Sequence, residues 1–154
     1  MTHCVYGVWD GVVCDARHVS GKQEVPGLAG LEGIASNTVT KAFISDRGFL
    51  ILDESTCLAE AFCQYLTQAA NESCGRCTPC RVGTQRLRDL LKSVSAGTAA
   101  QDALDEAQAL AWQVTQTSLC GMGQNCARSL LDALRHFRDE FSAMTPAQSV
   151  FQHS

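Results

Sequence analysis

Three of the nine cysteines lie in Ser73-Cys74-Gly75-Arg76-Cys77-Thr78-Pro79-Cys80-Arg81, where they are spaced C-x2-C-x2-C. A fourth, Cys120, follows Cys80 after 39 intervening residues. A cubane iron–sulfur cluster takes one cysteine thiolate on each of its iron atoms, so a loop with three thiols and one distant thiol suits it. We therefore predict that Cys74, Cys77, Cys80 and Cys120 hold one [4Fe–4S] cluster.

Zinc is the alternative metal for these cysteines. Structural zinc sites usually draw their thiolates from two separated C-x2-C pairs, whereas here three cysteines share one loop. The spacing therefore favours iron and leaves zinc as the second interpretation.

The composition is that of a globular protein with one main domain. The chain has 154 residues, of which 45% are hydrophobic and 18% charged, so a core can form and neither disorder nor a coiled coil is indicated. Nine cysteines is an odd number and no export signal opens the sequence, so a disulfide framework is not expected. Clustered cysteines in a reducing compartment more often bind metal, and we place the protein in the cytoplasm.

The charge and hydropathy patterns exclude two classes of partner. The formal net charge is -4 at pH 7 and the pI is about 5.5, whereas nucleic-acid and anionic-membrane surfaces need clustered lysine and arginine. The apolar run Gly48–Leu52 is far shorter than the roughly 20 residues of a spanning helix. We predict no nucleic-acid binding and no membrane insertion.

Short strands are predicted before the segment Cys74–Cys80, which we call the cysteine loop. Val5–Trp9 and Gly11–Cys14 flank Asp10-Gly11, a dipeptide typical of hairpin turns. Phe49–Leu52 has the branched and aromatic content of a buried strand, and it leads into Asp53–Thr56, whose side-chain oxygens suit the start of a helix. The N-terminal region is thus expected to be small and irregular or β-structured.

Apolar residues then recur at helical spacing, which predicts four helices. Their predicted extents are about Thr56–Ala70, Thr78–Gly97, Thr98–Thr117 and Ala127–Phe141. The second has Thr78 as its cap and Pro79 in its first position, so it begins at the cysteine loop. An out-and-back pair of helices returns Cys120 to the same end. The predicted fold class is therefore mainly α, with the helices in a four-helix bundle.

The residues around the cysteines suit a negatively charged cluster. Backbone N–H groups at the start of the second helix present the positive end of the helix dipole. Arg76 and Arg81 add positive charge, and Thr78 and Ser118 are candidates for hydrogen bonds to sulfur. Such hydrogen bonds help to set the reduction potential.

Four segments together resemble a known family. They are Asp53–Thr56, Glu72–Thr84, Thr117–Cys120 and Leu134–Phe141. They are similar to the C-terminal iron–sulfur domain of the 51 kDa flavoprotein subunit of NADH:quinone oxidoreductase, which also occurs in NAD-dependent formate dehydrogenases and hydrogenases. The likeness covers about Arg47 to Phe141. It implies a helical bundle in which the four motif cysteines bind a [4Fe–4S] cluster next to FMN and relay single electrons.

The resemblance also implies how the chain is divided. The family's region that builds the FMN and NADH site has no counterpart here, so no flavin or NAD site is expected in what would be a stand-alone chain. Residues 1–46 would form an N-terminal region, in which His18–Lys22 and Pro26-Gly27 resemble the start of a ubiquitin-like domain with much of it missing. Residues 47–145 would form the iron–sulfur-binding domain and residues 146–154 a tail.

These implications favour an electron-transfer subunit of a multisubunit oxidoreductase. It would relay single electrons between a flavin or substrate-site subunit and another redox centre, with no active site of its own. Its partners would be flavoprotein or other iron–sulfur subunits. The alternative is a structural or assembly module whose fold is stabilised by a bound metal, iron–sulfur or zinc, and which carries no electrons. A thiol redox sensor, which needs an exposed cysteine of low pKa, is a third hypothesis.

The other five cysteines are expected in the core, since free cysteine is commonly buried. They are Cys4, Cys14, Cys57, Cys63 and Cys126. A cysteine at position 126 differs from the more usual motif of the family, and Cys126 is also a candidate for an extra cluster ligand. A second metal site would draw its donors from His3, Cys4, Cys14 and His18. The charged stretch Arg135–Glu140 is either a docking patch for a partner subunit or a solvated helix face.

Overall fold

The computed structural model describes residues 4–18 and 41–142. There the chain forms a small antiparallel sheet followed by a larger helical part. The strands are β1 (Tyr6–Trp9), β2 (Val12–Asp15), β3 (Ala42–Ser45) and β4 (Gly48–Ile51). The helices are α1 (Leu58–Glu72), α2 (Thr78–Ser95), α3 (Ala103–Thr117), α4 (Gly121–Cys126), α5 (Arg128–His136) and α6 (Arg138–Ser142).

The predicted mainly α class is confirmed, and the N-terminal region contributes β-structure. Three of the helices have 15 or more residues, whereas each strand has four. Within residues 4–18 and 41–142, no helix combines the length and hydropathy that a membrane span requires.

The sheet has the strand order β2-β1-β4-β3, and all neighbours are antiparallel. The predicted hairpin is confirmed, because β1 and β2 join through Asp10 and Gly11, whose φ angles of 50° and 80° suit a two-residue type I′ turn. The sequence pattern missed β3. This strand has four residues at the edge of the sheet and all of them are only partly buried, so little alternation marks it.

Aromatic rings join the sheet to the helices. The ring of Phe49 in β4 lies 5.5 Å from that of Phe62 in α1 and 5.8 Å from that of Phe137, between centroids. Tyr6 of β1 lies 5.0 Å from Phe137, and Phe62 lies 6.3 Å from Phe141 of α6. All five side chains are buried, and aromatic pairs at these distances stabilise beyond the area they bury. The sheet is thereby fixed against α1 and the C-terminal helices.

Arg17, which follows β2, makes a second link to α6. Its guanidinium pairs with Asp15 at 2.7 Å, with Asp139 at 2.9 Å and with Glu140. It also lies 5.2 Å from the centre of the Tyr6 ring. The hydrogen bonds of Arg17, above all those to Asp15, raise the pKa of its guanidinium, so this largely buried side chain stays positively charged. One side chain thus ties the first hairpin to the end of the helical part.

α1 starts two residues after the predicted Thr56, and the N-cap of α2 lies one residue before the predicted Thr78. α1 begins at Leu58, since Cys57 is its N-cap and the Sγ of Cys57 accepts a hydrogen bond from the N–H of Glu60 at 3.4 Å. α2 begins at Thr78 with Cys77 as its N-cap, so the prediction that Thr78 is the cap is wrong. The extended backbone of Cys77 is the reason, because the helical conformation starts directly after it.

The predicted fourth helix is divided into segments. Phe137, with φ -130° and ψ 35°, separates α5 from α6, and the short α4 precedes them. The apolar residues at helical spacing in these segments still face the core, since Leu130, Leu134 and Phe141 are buried and Leu131 is partly buried. The mainly helical class therefore stands, while a four-helix bundle is not confirmed.

The predicted boundary between residues 46 and 47 falls in the turn that joins β3 to β4. The sheet therefore takes strands from both sides of this boundary. The three-part division of the chain stays a prediction, and most of the segment compared with a ubiquitin-like domain lies outside the described residues.

Candidate metal centre

The cysteine loop connects α1 to α2. Ser73 is the C-cap of α1, and its N–H closes the last turn of that helix. Gly75 turns the chain with a φ of 74°, a left-handed conformation that favours glycine. Cys77 is the N-cap of α2 and Cys80 lies in its first turn. The loop therefore leaves Cys74 exposed and buries Cys80, which is only 5% exposed.

Cys120 lies at a second connection, between α3 and α4. Ser118 is the C-cap of α3, and its N–H and its hydroxyl both donate to the carbonyl of Val114, at 3.2 and 2.7 Å. Cys120 is the exposed N-cap of α4. The N–H of Gln124 donates to the carbonyl of Cys120 at 3.1 Å, and its side-chain amide donates to the carbonyl of Ser118 at 3.0 Å. The two hydrogen bonds from Gln124 fix the turn that presents Cys120.

The two connections touch each other at Gly123 of α4. A Cβ at Gly123 would lie 2.5 Å from the Cβ of Ser118 and 3.0 Å from the Cβ of Cys80, so only glycine allows this approach. The backbone N–H groups of Leu119 and then Cys80 hydrogen-bond to the Sγ of Cys77 and lower the pKa of Cys77. The cysteine loop therefore lies against the connection between α3 and α4, as the out-and-back helix pair predicts.

Cys80 is surrounded by groups from three elements. The Oγ of Ser73, at the end of α1, lies 3.3 Å from the Sγ of Cys80. The Sδ of Met122 in α4 lies 3.5 Å from the same sulfur. The buried hydroxyl of Thr84 donates to the carbonyl of Cys80 at 2.6 Å, within α2. Cys80 is thus held in place by contacts from α1, α2 and α4.

Cys126 lies beside this site on the buried side of α4. Its Sγ donates to the carbonyl of Gly123 at 3.5 Å. Burial raises the pKa of Cys126 to about 11, and the nearby thiols of Cys80 and Cys120 contribute to the rise. Its burial agrees with the expected core position. Its use as an extra ligand stays a prediction.

The candidates for contacts around the sulfurs occupy different environments. Arg76, Arg81 and Thr78 are exposed, and their roles stay predictions. Ser118 is buried, but its hydroxyl proton goes to a backbone carbonyl one turn earlier rather than to sulfur. The hydroxyl in contact with a sulfur belongs to Ser73, for which spacing alone gives no signal.

The suggested second metal site involves residues near the sheet. His3 lies outside the described residues, and His18 is exposed. Cys4 and Cys14 are buried in a small cluster with Trp9. Burial, followed by the neighbouring Cys14 thiol, raises the pKa of Cys4 to about 12. These observations agree with core cysteines, and the metal-binding role stays a prediction.

The arrangement of the four cysteines suits a cluster and not a single metal ion. Among the residues that the structure describes, no three His, Cys, Asp or Glu side chains are grouped to hold a single metal ion. A cubane makes a different demand, because each thiolate binds its own iron. The chain meets it with thiols on two touching connections and with the N-terminus of α2. No Asp or Glu occurs from Ser73 to Arg88 or from Ala107 to Leu131, so these segments add no repulsion to an anionic cluster. The four cysteines and their surroundings therefore fit a [4Fe–4S] cluster.

Known proteins share this region. Residues 60–144 match the model of the NADH-ubiquinone oxidoreductase-F iron-sulfur binding region. The NADP(+)-dependent formate dehydrogenase subunit beta of Moorella thermoacetica is 36% identical over 140 residues, which are 90% of this chain and 19% of that protein. The NADP-reducing hydrogenase subunit HndC of Solidesulfovibrio fructosivorans is 31% identical over 103 residues, which are 67% of this chain and 21% of that protein.

A solved structure shares the fold as well. The crystal structure of NAD+-reducing [NiFe]-hydrogenase in the H2-reduced state gives a TM-score of 0.59 at 28% identity, over 66% of this chain and 18% of that chain. The chain spans about a fifth of the length of the curated relatives it matches. The resemblance inferred from the motifs is confirmed. The chain belongs to the NADH-ubiquinone oxidoreductase-F iron-sulfur binding region family, and its cofactor is a [4Fe–4S] cluster.

Proposed function

We propose that this chain is the electron-transfer part of a multisubunit oxidoreductase and that Cys74, Cys77, Cys80 and Cys120 hold its one [4Fe–4S] cluster. Single electrons would pass between a flavin or substrate-site subunit and another redox centre. The observation that carries the proposal is the contact between the cysteine loop and the α3–α4 connection, inside the region that matches the family. When bound, the cluster supplies one-electron chemistry at this junction.

The residues of the chain prepare the two sides of the site differently. On the inner side, Cys80 is buried and packed against Met122, so water is kept from its sulfur. On the outer side, Cys74 and Cys120 are exposed. Backbone N–H groups already directed at the Sγ of Cys77 favour its thiolate form, which is the form that binds iron. The exposed side is where we expect a partner to exchange electrons.

The relatives suggest the kind of partner. They are named as subunits of an NADP-reducing hydrogenase and of an NADP(+)-dependent formate dehydrogenase. We infer that flavoprotein or other iron–sulfur subunits of such a complex dock here. The same proposal includes a cytoplasmic location and a four-helix bundle in which α5 and α6 together act as the fourth member.

Metal analysis of anaerobically purified protein tests the ligand set. The full chain should be brown, contain about four iron and four sulfide per chain and bleach with dithionite. Cys77→Ala and Cys120→Ala should each lose most of the iron. Cys63→Ala is the matched control, because Cys63 lies on α1 and its thiol donates to the carbonyl of Arg88, at 3.7 Å, away from the loop. Iron retained in both ligand variants would contradict the ligand set.

The same preparation separates the alternatives. A colourless protein with one zinc per chain would support a structural metal site instead. A full iron content that dithionite does not reduce would support an assembly module that carries no electrons. Either result would overturn electron transfer as the function.

A further inference from the structure

We propose that Ser73 is a positioning residue of this site. Its hydroxyl donates a hydrogen bond to the Cys80 thiolate and thereby raises the reduction potential of the cluster. The inference rests on the proposed function, because it requires Cys80 to be a ligand. It adds a residue that the sequence motif does not indicate.

The position of Ser73 is fixed by secondary structure. It is the C-cap of α1, with φ -57° and ψ 130°, and its N–H donates to the carbonyl of Ala69 at 3.0 Å. The chain then turns at Gly75, and α2 begins after Cys77. This turn brings the Oγ of Ser73 to 3.3 Å from the Sγ of Cys80, seven residues later.

The direction of this hydrogen bond follows from the chemistry of both groups. The N–H of Gly75 donates to the Oγ of Ser73 at 3.4 Å, which occupies a lone pair of the hydroxyl. The hydroxyl proton remains available for the Sγ of Cys80. A free thiol could itself donate, but a cysteine that binds iron has lost its proton. In the loaded protein, Ser73 is therefore the donor of the pair.

Burial gives this bond its effect. Cys80 is 5% exposed, so water cannot replace the hydroxyl as a donor, and a hydrogen bond in such surroundings is electrostatically stronger than in water. Reduction adds negative charge that the thiolates share. A hydrogen bond donated to one of the thiolates stabilises the reduced form more than the oxidised form, and this raises the reduction potential.

Ser118 provides a matched comparison within the chain. Like Ser73, it is a C-cap directly before a connection that carries a predicted ligand. Ser118 and Cys80 also both lie against Gly123. Its hydroxyl proton, however, goes to the carbonyl of Val114 at 2.7 Å. Removing this hydroxyl changes the size of a nearby side chain without removing a donor to sulfur.

Potentiometric titrations of the full, anaerobically loaded chain test the inference, with the reduced signal followed by electron paramagnetic resonance. In Ser73→Ala, the ratio of reduced to oxidised protein at a fixed ambient potential should fall about threefold to tenfold, which is about 28 to 59 mV lower for one electron. Ser73→Thr, which keeps the hydroxyl, should restore most of the potential. Ser118→Ala should leave it unchanged.

A second measurement follows the exchangeable protons near the reduced centre. In the wild-type protein and in Ser118→Ala, transfer to D2O should remove the coupling of one proton that Ser73→Ala lacks, whereas the backbone N–H protons at the Sγ of Cys77 couple in all three proteins. The absence of this Ser73-dependent coupling in the wild-type protein would overturn the proposal, as would an unchanged potential in Ser73→Ala or an equal fall in Ser118→Ala. A wild-type chain that takes up no iron would instead refute the proposed function.

Discussion

Gly123→Ala should separate the two connections that form the metal site. The added Cβ would lie 2.5 Å from the Cβ of Ser118 and 3.0 Å from the Cβ of Cys80. Ordinary contact between carbon atoms needs about 3.5 Å, so the first pair must move apart by about 1 Å. The Cβ of Ser118 is attached directly to the backbone, so a change of rotamer cannot provide this movement. Either α4 or the end of α3 has to shift.

The expected cost follows from the balance of two effects. Replacing glycine by alanine inside a helix normally stabilises by about 0.5 to 1 kcal/mol. Overpacking of a buried contact costs about 1 to 3 kcal/mol. Because Gly123 is buried and two of its contacts are with carbon atoms next to the backbone, we expect the second effect to win and Gly123→Ala to destabilise the chain by about 1 to 2 kcal/mol.

Two assays and one control make this result interpretable. Urea unfolding of the metal-free protein should show the loss of stability, and anaerobic reconstitution should show a lower iron content. Gly121→Ala is the control in the same helix, because its Cβ would meet nothing closer than the Asn125 side-chain nitrogen at 3.5 Å. It should unfold at the same or slightly higher urea concentration and bind iron normally. Equal stability and equal iron in the two variants would refute the close-approach argument.

Two further changes test the sheet and the loop. Arg17→Met should destabilise the chain by about 1 to 3 kcal/mol at pH 7, measured by urea unfolding, because charge-assisted hydrogen bonds to Asp15, Asp139 and Glu140 are lost. Hydrogen bonds from Arg17 lower the pKa of Asp15 below its usual 3.8. The stabilisation from this pair is therefore present above pH 3.8 and is lost as the pH falls through the lower pKa of the folded state. Arg17→Met should remove this loss of stability in acid, and an unchanged dependence of the unfolding free energy on pH would contradict the argument. Gly75→Ala should cost about 1 to 2 kcal/mol in thermal unfolding, since φ is 74° and the nearest atom to the new Cβ is 3.8 Å away, which leaves backbone strain as the cause. Gly75→Asn should cost less, because asparagine tolerates this conformation; equal costs would argue against strain.

The helical frame was predictable because its signals are local. Pro79 marks the start of α2, and the apolar stripes of α1 and α2 recur at helical spacing over 15 and 18 residues. The Asp10-Gly11 turn is likewise set by two neighbouring residues. The edge strand β3 and the break at Phe137 are short features whose conformation depends on tertiary packing, so their patterns are weak.

The contacts to sulfur were less predictable because they are tertiary. The sequence makes Ser118 a candidate donor to sulfur, yet its hydroxyl donates to the backbone carbonyl one turn earlier, which is a nearby acceptor for a serine at a helix end. That local rule could have removed Ser118 from the candidates. No local rule selects Ser73, because its contact with Cys80 exists only after Gly75 has turned the chain and α2 has begun.

Ser73 and Ser118 show why cysteine spacing and redox properties are separate features of this fold. Both serines end a helix, and both precede a predicted ligand by one or two residues. The backbone of the two caps is nearly the same, yet the hydroxyl of Ser73 lies next to a sulfur and that of Ser118 donates to a carbonyl. The C-x2-C-x2-C spacing can therefore stay intact while the donor at one thiolate is gained or lost. A single hydroxyl at the end of α1 would then change the potential without changing which cofactor is bound.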